Sequence, residues 1–370
     1  MNDLALNLLL EKIITDRENP EETECNLWIL DENLAPSDIT QGVAKSKIEL
    51  TLICNRFDVQ QQLKTNKVTS TFNDFDFSEF EDNSVDRIFY RVSKEKTVVH
   101  HIINQAFRVL KPGGILAIAG YKNEGAKTYI DKASKLFNGA TSKSKGGQSS
   151  HFAVISKGST THGKELDDKD YAQLRSIESQ SNDHPDKQSI RFISKPGQFG
   201  WNKADKGSEL LIQHLPDVIR KRHTPAETML DLGCGYGYLS LMAASLNDLE
   251  MLDLQQITAT DNNAAAILSC EENLKSTGKN YHVIADNCAH GIRGRFDLVL
   301  CNPPFHQGFA VDNDLTRMFL EQAHKRLHAK GDAVFVVNQF IPLERKAQDL
   351  FGKITLLAES DGFKVIHCKR

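Results

Sequence analysis

Short apolar runs alternate with stretches of helical pattern along the whole chain. In the C-terminal half, the runs at 228–232, 257–261, 281–285, 297–301, 332–338, 354–358 and 363–368 are predicted as strands, with helices filling most of the gaps. Leu298-Val299-Leu300-Cys301 and Ala333-Val334-Phe335-Val336-Val337 are apolar at every position, the pattern of parallel strands covered on both faces. Strands that alternate with helices imply right-handed βαβ crossovers and a mostly parallel sheet, and the last two runs suit an antiparallel pair at its edge.

The same order of elements occurs twice. Residues 104–120 align without a gap on 321–337, so that Gln105, Ala106, Leu110 and Gly114 fall on Gln322, Ala323, Leu327 and Gly331. Upstream, Val85-Asp86-Arg87-Ile88-Phe89-Tyr90 matches Phe296-Asp297-Leu298-Val299-Leu300-Cys301; downstream, His151-Phe152-Ala153-Val154-Ile155 matches Gly362-Phe363-Lys364-Val365-Ile366. The period is far too long for a solenoid and predicts two α/β domains of similar topology. Residues 1–158 form the first. The segment 159–188, polar and charged with one His-Pro, reads as a linker, and 189–370 form the second domain. The Lys/Ser/Gly stretch 141–150 reads as a loop inside the first domain.

A length of 370 residues is enough for two cores. Seven cysteines, at 25, 54, 234, 270, 288, 301 and 368, include no Cys-x-x-Cys pair and speak for a reducing compartment rather than a disulfide framework or a zinc ribbon. No run reaches the ~18 apolar residues of a membrane span, and Met1-Asn2-Asp3-Leu4 has no basic stretch, so a soluble cytoplasmic protein is expected. The net charge is −4, with 24 basic against 28 acidic residues over 1–188 and 21 against 21 over 189–370. That balance excludes holding nucleic acid by bulk electrostatics alone and leaves local patches such as Arg220-Lys221-Arg222-His223.

Three strand ends carry chemistry. Met229-Leu230-Asp231-Leu232-Gly233-Cys234-Gly235-Tyr236-Gly237-Tyr238-Leu239 runs from an apolar strand through alternating glycines into a helix, a turn whose backbone can pass close to a ligand. Such turns also open dinucleotide sites, but Asp231 would repel a pyrophosphate and suits the cationic part of S-adenosylmethionine (SAM). Gly233, Gly235 and Gly237 are placed on that cofactor, with Cys234 among them as a small filler; the alternative is a tight turn without a ligand. Thr258-Ala259-Thr260-Asp261-Asn262-Asn263 ends a strand in an acid where doubly wound sheets bind ribose hydroxyls. Asp261 and Asn262 are therefore cofactor candidates, against the competing role of a helix N-cap, which Asn262 or Asn263 fills as well. Asp286-Asn287, after the third strand, can contact the adenine.

The third strand end is Asn302-Pro303-Pro304-Phe305-His306. Two prolines remove two N–H donors and stiffen the loop, so the Asn302 side-chain oxygen and the Pro303 carbonyl can point at one amino group. An exocyclic base amine is a poor nucleophile because its lone pair is delocalised into the ring. Two acceptors on its hydrogens localise that pair, while Phe305 stacks on the base. His306 either contacts the target base or is tied to backbone, and both readings stand. Cys301 reads as core packing rather than a thiolate nucleophile. His100 and His101 have no metal-ligand spacing, so no metal is expected.

These motifs, in this order, resemble the class I SAM-dependent methyltransferase fold with an N-methyltransferase loop. Asn302-Pro303-Pro304-Phe305-His306, with Lys195-Pro196-Gly197-Gln198-Phe199 and Gly207-Ser208-Glu209-Leu210-Leu211 ahead of the glycine turn, is similar to the bacterial ribosomal RNA guanine-N2 methyltransferases of the small- and large-subunit type. The resemblance is specific over 195–370 and topological over 1–158. It implies an α/β fold of two tandem class I methyltransferase (Rossmann-like) domains, the first degenerate, the second with a seven-stranded mostly parallel sheet. It further implies SAM as cofactor, with Phe199 among the binding residues, and methyl transfer to the exocyclic N2 amine of a guanine in rRNA, 16S favoured over 23S. The partner it implies is ribosomal RNA or a ribosomal subunit, with no membrane and no metal, and the enzyme is expected to be a cytoplasmic monomer.

The family usually reads Phe-Ser and a basic residue where this chain has Phe199-Gly200-Trp201-Asn202, so no role carries onto 200–202, although Phe199, Asp205 and Gly207 match. In the first half, Trp28-Ile29-Leu30-Asp31-Glu32-Asn33 lacks the glycines, and Tyr90-Arg91-Val92-Ser93 stands where Asn-Pro-Pro-Phe would be. That copy is expected to bind neither SAM nor a base. Adenine-N6 methyltransferases and release-factor glutamine methyltransferases share the loop, and a non-catalytic RNA-binding assembly factor would keep the fold. His306 and the duplicated half favour guanine in rRNA, and the intact glycines favour an enzyme. The first domain is expected to position RNA through Lys143-Ser144-Lys145 and the stretch from Arg91 to Lys96, with a folding scaffold as the alternative.

Overall fold

The structure is a computed structural model that describes residues 3–17, 23–31, 34–159, 163–180, 189–246, 250–304, 306–307, 310–311 and 313–370. The chain divides into two compact units, Met1–Gln173 and Leu174–Arg370.

In the first unit, strands β1 (Asn26–Leu30), β2 (Thr51–Cys54), β3 (Thr71–Phe72), β4 (Val85–Arg91), β5 (Leu110–Tyr121), β6 (Asn138–Lys145) and β7 (Ser150–Lys157) form one sheet in the order β3-β2-β1-β4-β5-β7-β6. Helices α1 (Leu4–Thr15), α2 (Pro36–Lys45), α3 (Phe57–Thr65), α4 (Lys96–Val109) and α5 (Ala126–Phe137) lie between them in sequence. Strands β1 to β5 pair in parallel, and β7 runs antiparallel to both β5 and β6. Every position of β1 is buried, as a central parallel strand requires.

The second unit opens with the antiparallel pair β8 (Arg175–Gln180) and β9 (Ser189–Ser194), followed by α6 (Lys206–Ile219). The main sheet holds β10 (Ala226–Leu232), β11 (Leu252–Asp261), β12 (Asn280–Ala285) and β13 (Phe296–Cys301). After the short β14 (His306–Gln307) and β15 (Ala310–Val311), β16 (Leu327–Asn338), β17 (Lys353–Ser360) and β18 (Phe363–Lys369) complete it. Helices α7 (Tyr238–Ser245), α8 (Ala264–Lys275), α9 (Asn313–Arg326) and α10 (Leu343–Ala347) connect them. The order β12-β11-β10-β13-β16-β18-β17 repeats the first sheet strand for strand, as the internal repeat predicts, and the last two strands are an antiparallel pair at the edge. Period-2 alternation sorts the side chains. Met229, Leu298, Leu300 and Val334 pack with Leu211, Leu215, Leu239 and Leu274 of α6, α7 and α8, whereas Leu230, Val299, Cys301 and Phe335 pack with Phe319, Leu320 and Leu343 of α9 and α10.

Five parallel strands in a row, β12-β11-β10-β13-β16, bring the carboxyl ends of all five to one edge, where open α/β sheets bind ligands. In the first unit, buried side chains stand at the matching positions. Trp28, opposite Phe89, occupies the sheet position that Asp231 holds opposite Leu300, and Trp28 is fully buried. Arg91 stands in the place of Asn302 and is buried. Its guanidinium makes a bidentate pair with Glu124 at 2.6 and 2.9 Å and reaches Asp3 at 3.0 Å.

Three readings of the sequence are corrected. The described parts of 159–188 are not a linker. Asn104 bonds Leu166 N and O at 2.9 and 2.8 Å, the buried Tyr171 donates to Asp74 Oδ1 at 2.5 Å, and 175–180 is strand β8; residues 181–188 lie outside the described ones. A few buried polar anchors hold this segment, which is why its low apolar content misleads. The stretch 141–150 is mostly the edge strand β6 followed by a 3₁₀ turn at Gly147–Ser149, and its lysines mark an edge rather than a loop. Arg91 and Arg222 are not available to phosphates, because Arg91 is locked as described and buried Arg222 pairs with Asp332.

Candidate active site

The turn between β10 and α7 has three glycines at positive φ, and the reasons differ along it. At Gly235, φ is +54° and a Cβ would meet nothing within 4 Å, so this side of the turn is open. At Gly237, φ is +84° and a Cβ would lie 2.8 Å from Cys270 Sγ. Cys234 is buried, and burial pushes its thiol well up, which fits a packing role. Asp231 beneath the turn is 0% exposed. Its Oδ2 accepts Ser240 N at 3.0 Å and Ser240 Oγ at 2.7 Å, at the start of α7, while Oδ1 has no partner among the described residues. Burial pushes the Asp231 carboxyl up to about 7, against the Ser240 hydrogen bonds and with a further push from Asp261.

On the neighbouring strand, Asp261 ties two turns together: Oδ2 accepts Gly235 N at 2.9 Å and Oδ1 accepts Asn263 N at 2.9 Å. The N-cap of α8 is Asn263, which accepts Ala265 N at 2.8 Å, so Asp261 is not the cap; Asn262 is half-buried between them. After β12, Asp286 Oδ2 accepts Gly291 N at 2.9 Å and its Oδ1 is buried without a partner among the described residues, while the Asn287 carbonyl accepts from His290 N and Nδ1. Thr260 Oγ1 is a third such oxygen. Three adjacent strand ends thus hold buried oxygens that accept no hydrogen bond among the described residues, an arrangement that costs about 1–3 kcal/mol per oxygen.

A segment ahead of α6 borders this edge. Gly197 O accepts Asn263 Nδ2 at 3.0 Å and Gln198 Nε2 donates to Ser269 Oγ at 2.6 Å, fastening residues 195–199 to α8. Phe199 is 85% exposed.

Asn302 follows β13. Its Nδ2 donates to Asp205 Oδ2 at 2.7 Å and to Ser208 Oγ at 2.9 Å, which leaves Oδ1 as the acceptor of the amide. Pro303 is buried and Pro304 exposed. Phe305 lies outside the described residues, as does the side chain of His306, whose backbone begins β14. The sequence reading thus finds Asp231, Gly233, Gly235, Asp261, Asp286 and Asn302 on one sheet edge. It misses Ser240, Asp205 as a partner of Asn302, and Ser208. Asp205-x-x-Ser208 was readable as a helix N-cap, but its reach across 97 residues to Asn302 was not.

Among the described residues no group of three or more His, Cys, Asp or Glu is placed to hold a metal ion, and no helix is long and apolar enough to cross a membrane. Residues 189–367 match the family model for the methyltransferase small domain. The chain is 27% identical over 78% of its length to a Shewanella amazonensis protein named ribosomal RNA small subunit methyltransferase C, covering 79% of that protein. An Erwinia tasmaniensis protein of the same name is 36% identical over 46% of each chain. In fold, the chain is similar over its whole length to the T. thermophilus 16S rRNA N2 G1207 methyltransferase, solved with AdoMet and guanosine; the TM-score is 0.80, with 21% identity and 92% of that chain covered.

Proposed function

We infer that the chain, whose residues 189–367 match the family model for the methyltransferase small domain, transfers a methyl group from SAM to the exocyclic N2 amine of a guanine in the RNA of the small ribosomal subunit. The observation that carries this reading is the Asn302 amide, held by Asp205 and Ser208 with its oxygen left to accept, one strand away from the glycine turn. Three Shewanella relatives matched over about three quarters of the chain and named ribosomal RNA small subunit methyltransferase C support the choice of substrate.

The residues present fit SAM. The open face at Gly235 admits a ligand against backbone, and Asp231, Thr260 and Asp286 offer its cationic and hydroxyl groups oxygens that have no donor among the described residues. Asp231 would face the cationic amino acid part, Asp261 and Asn262 the ribose, and Asp286 and Asn287 the adenine, with Phe199 at the rim. Bound there, SAM supplies an electrophilic methyl group. Asn302 Oδ1 and the Pro303 carbonyl accept the two amine hydrogens and turn the nitrogen lone pair out of the ring, a preorganised stabilisation of developing positive charge. Phe305, which lies outside the described residues, is assigned the stacking role from its place in the sequence motif. No strong base is needed, because the amine proton becomes acidic only once the nitrogen carries the methyl group.

The first unit is assigned the RNA backbone. A surface pocket of about 420 Å³ is lined by Lys127, Lys143, Lys145 and His151, with Asp131 the one acid and already paired with Lys143 at 2.7 Å. Burial, together with Lys145, Lys127 and Lys122, holds the His151 imidazole below its ordinary value, a sign of local positive potential within an acidic half. Transfer of tritium from labelled SAM to small-subunit particles and stripped rRNA tests the reading. Label on a protein or on adenine would favour the other uses of the Asn-Pro-Pro loop, and no label at all would favour a non-catalytic factor.

A further inference from the structure

We propose that Asp205 and Ser208 are positioning residues that fix which end of the Asn302 amide faces the substrate amine. The proposal rests on reading Asn302 as an acceptor for that amine. An amide side chain has two ends of nearly the same shape and opposite chemistry: one accepts two hydrogen bonds, the other donates two. Turned over, Asn302 would present N–H groups to a donor amine and oppose the reaction, so something must hold the oxygen outward.

The structure supplies that control at both hydrogens. A carboxylate oxygen only accepts, and Asp205 Oδ2 lies 2.7 Å from Asn302 Nδ2, so the NH₂ end must face it; Ser208 Oγ, at 2.9 Å, takes the second hydrogen. Donation to a charged acceptor also polarises the amide and makes Oδ1 a better acceptor.

The holder is itself held. Asp205 is the N-cap of α6 and its Oδ2 accepts Ser208 N at 2.9 Å, which places the charge at the positive end of the helix. Gly207, between the two, sits where a Cβ would be 2.9 Å from the Phe363 ring and 3.1 Å from Asp205 Oδ2, so the turn is packed against β18 and cannot shift freely. Capping alone explains neither contact to Asn302: a cap needs only its own helix, whereas these bonds span 97 and 94 residues.

That distinction defines the variants. In Asp205→Ser the shorter side chain still caps a helix but no longer reaches Asn302, and Ser208→Ala keeps the cap, which uses the backbone N–H of residue 208. With the full-length chain, SAM affinity is measured by calorimetry and single-turnover transfer to guanine N2 on the RNA substrate that the wild type uses. Asp205→Ser is expected to slow transfer about 10- to 100-fold, the loss typical of one hydrogen bond to a charged group, with SAM affinity within about three-fold. Ser208→Ala is expected to slow it about 3- to 10-fold. In an Asn302→Ala background neither substitution should slow transfer further, because a residue that acts through Asn302 has nothing left to act on. Three results would overturn the proposal: a wild-type rate in Asp205→Ser, a further loss of similar size on top of Asn302→Ala, or a fall in SAM affinity that accounts for the rate. If Asp205→Ser does not fold, Ser208→Ala and its cycle with Asn302→Ala decide by the same criteria. A wild type that methylates no guanine overturns the functional reading, and this proposal with it, whereas an active wild type with an indifferent Asp205→Ser overturns this proposal alone.

Discussion

Replacing Asp231 by Asn should stabilise the protein in the absence of SAM, and by more as the pH rises from 5 to 8. The Asp231 carboxylate has no exposure; one oxygen takes two hydrogen bonds from Ser240 and the other has no partner among the described residues. Burial pushes its pKa up to about 7, against roughly 3.9 in an unfolded chain. Between those values the folded state binds the extra proton, so stability falls as pH rises through the window and the full cost is present above the folded value. About three pH units at 1.36 kcal/mol each set an upper bound of about 4 kcal/mol. Asn at 231 keeps an oxygen for Ser240 and carries no charge. Urea unfolding of both proteins at pH 5, 6, 7 and 8 should give a difference that grows by up to about 1.4 kcal/mol per pH unit to pH 7 and then levels off. Other carboxylates cancel in the difference. A gap that does not change with pH would refute the argument. The same variant should bind SAM at least about ten-fold more weakly, since it removes the charge that a cationic group would satisfy.

Asn302→Ala should leave SAM affinity nearly intact and lower the single-turnover rate about 100- to 1000-fold; a rate within a few-fold of wild type would reduce Asn302 to shaping the loop. Asp261→Ala and Gly235→Val should each weaken SAM binding in calorimetry, the first by removing the carboxylate assigned to the ribose, the second by placing a branched side chain at φ +54° on the open face of the turn. Wild-type affinity in both would remove the cofactor assignment. Lys143→Glu with Lys145→Glu should weaken rRNA binding and flatten its dependence on log salt by about two, with SAM affinity unchanged; an unaltered salt slope would take the RNA backbone off the first unit.

The sheet was legible because its strands are short apolar runs, Leu298 to Cys301 above all, and because the second copy repeats the first. All seven strands predicted for the second domain are present, including the antiparallel edge pair. Segment 163–173 was not legible, since Asn104 and Tyr171 hold it by a handful of long-range polar bonds that leave no periodic trace. Within the site, the residues at strand ends were readable because parallel pairing must bring them together. The partners that orient them were not. Ser240 under Asp231 and Asp205 under Asn302 belong to helix starts, where Ser and Asp are ordinary caps in any sequence. Charge runs misled where burial was invisible: Arg91 and Arg222 look like phosphate ligands in sequence and are spent on Glu124, Asp3 and Asp332.

Whether the Asn302 edge methylates a guanine amine of small-subunit rRNA can be read by mass-spectrometric mapping of that rRNA after one turnover with labelled SAM. The wild-type chain should leave one labelled N2-methylguanine, nearly absent at the same reaction time with Asn302→Ala. Label on adenine or on protein, or equal guanine labelling by the two chains, would contradict it.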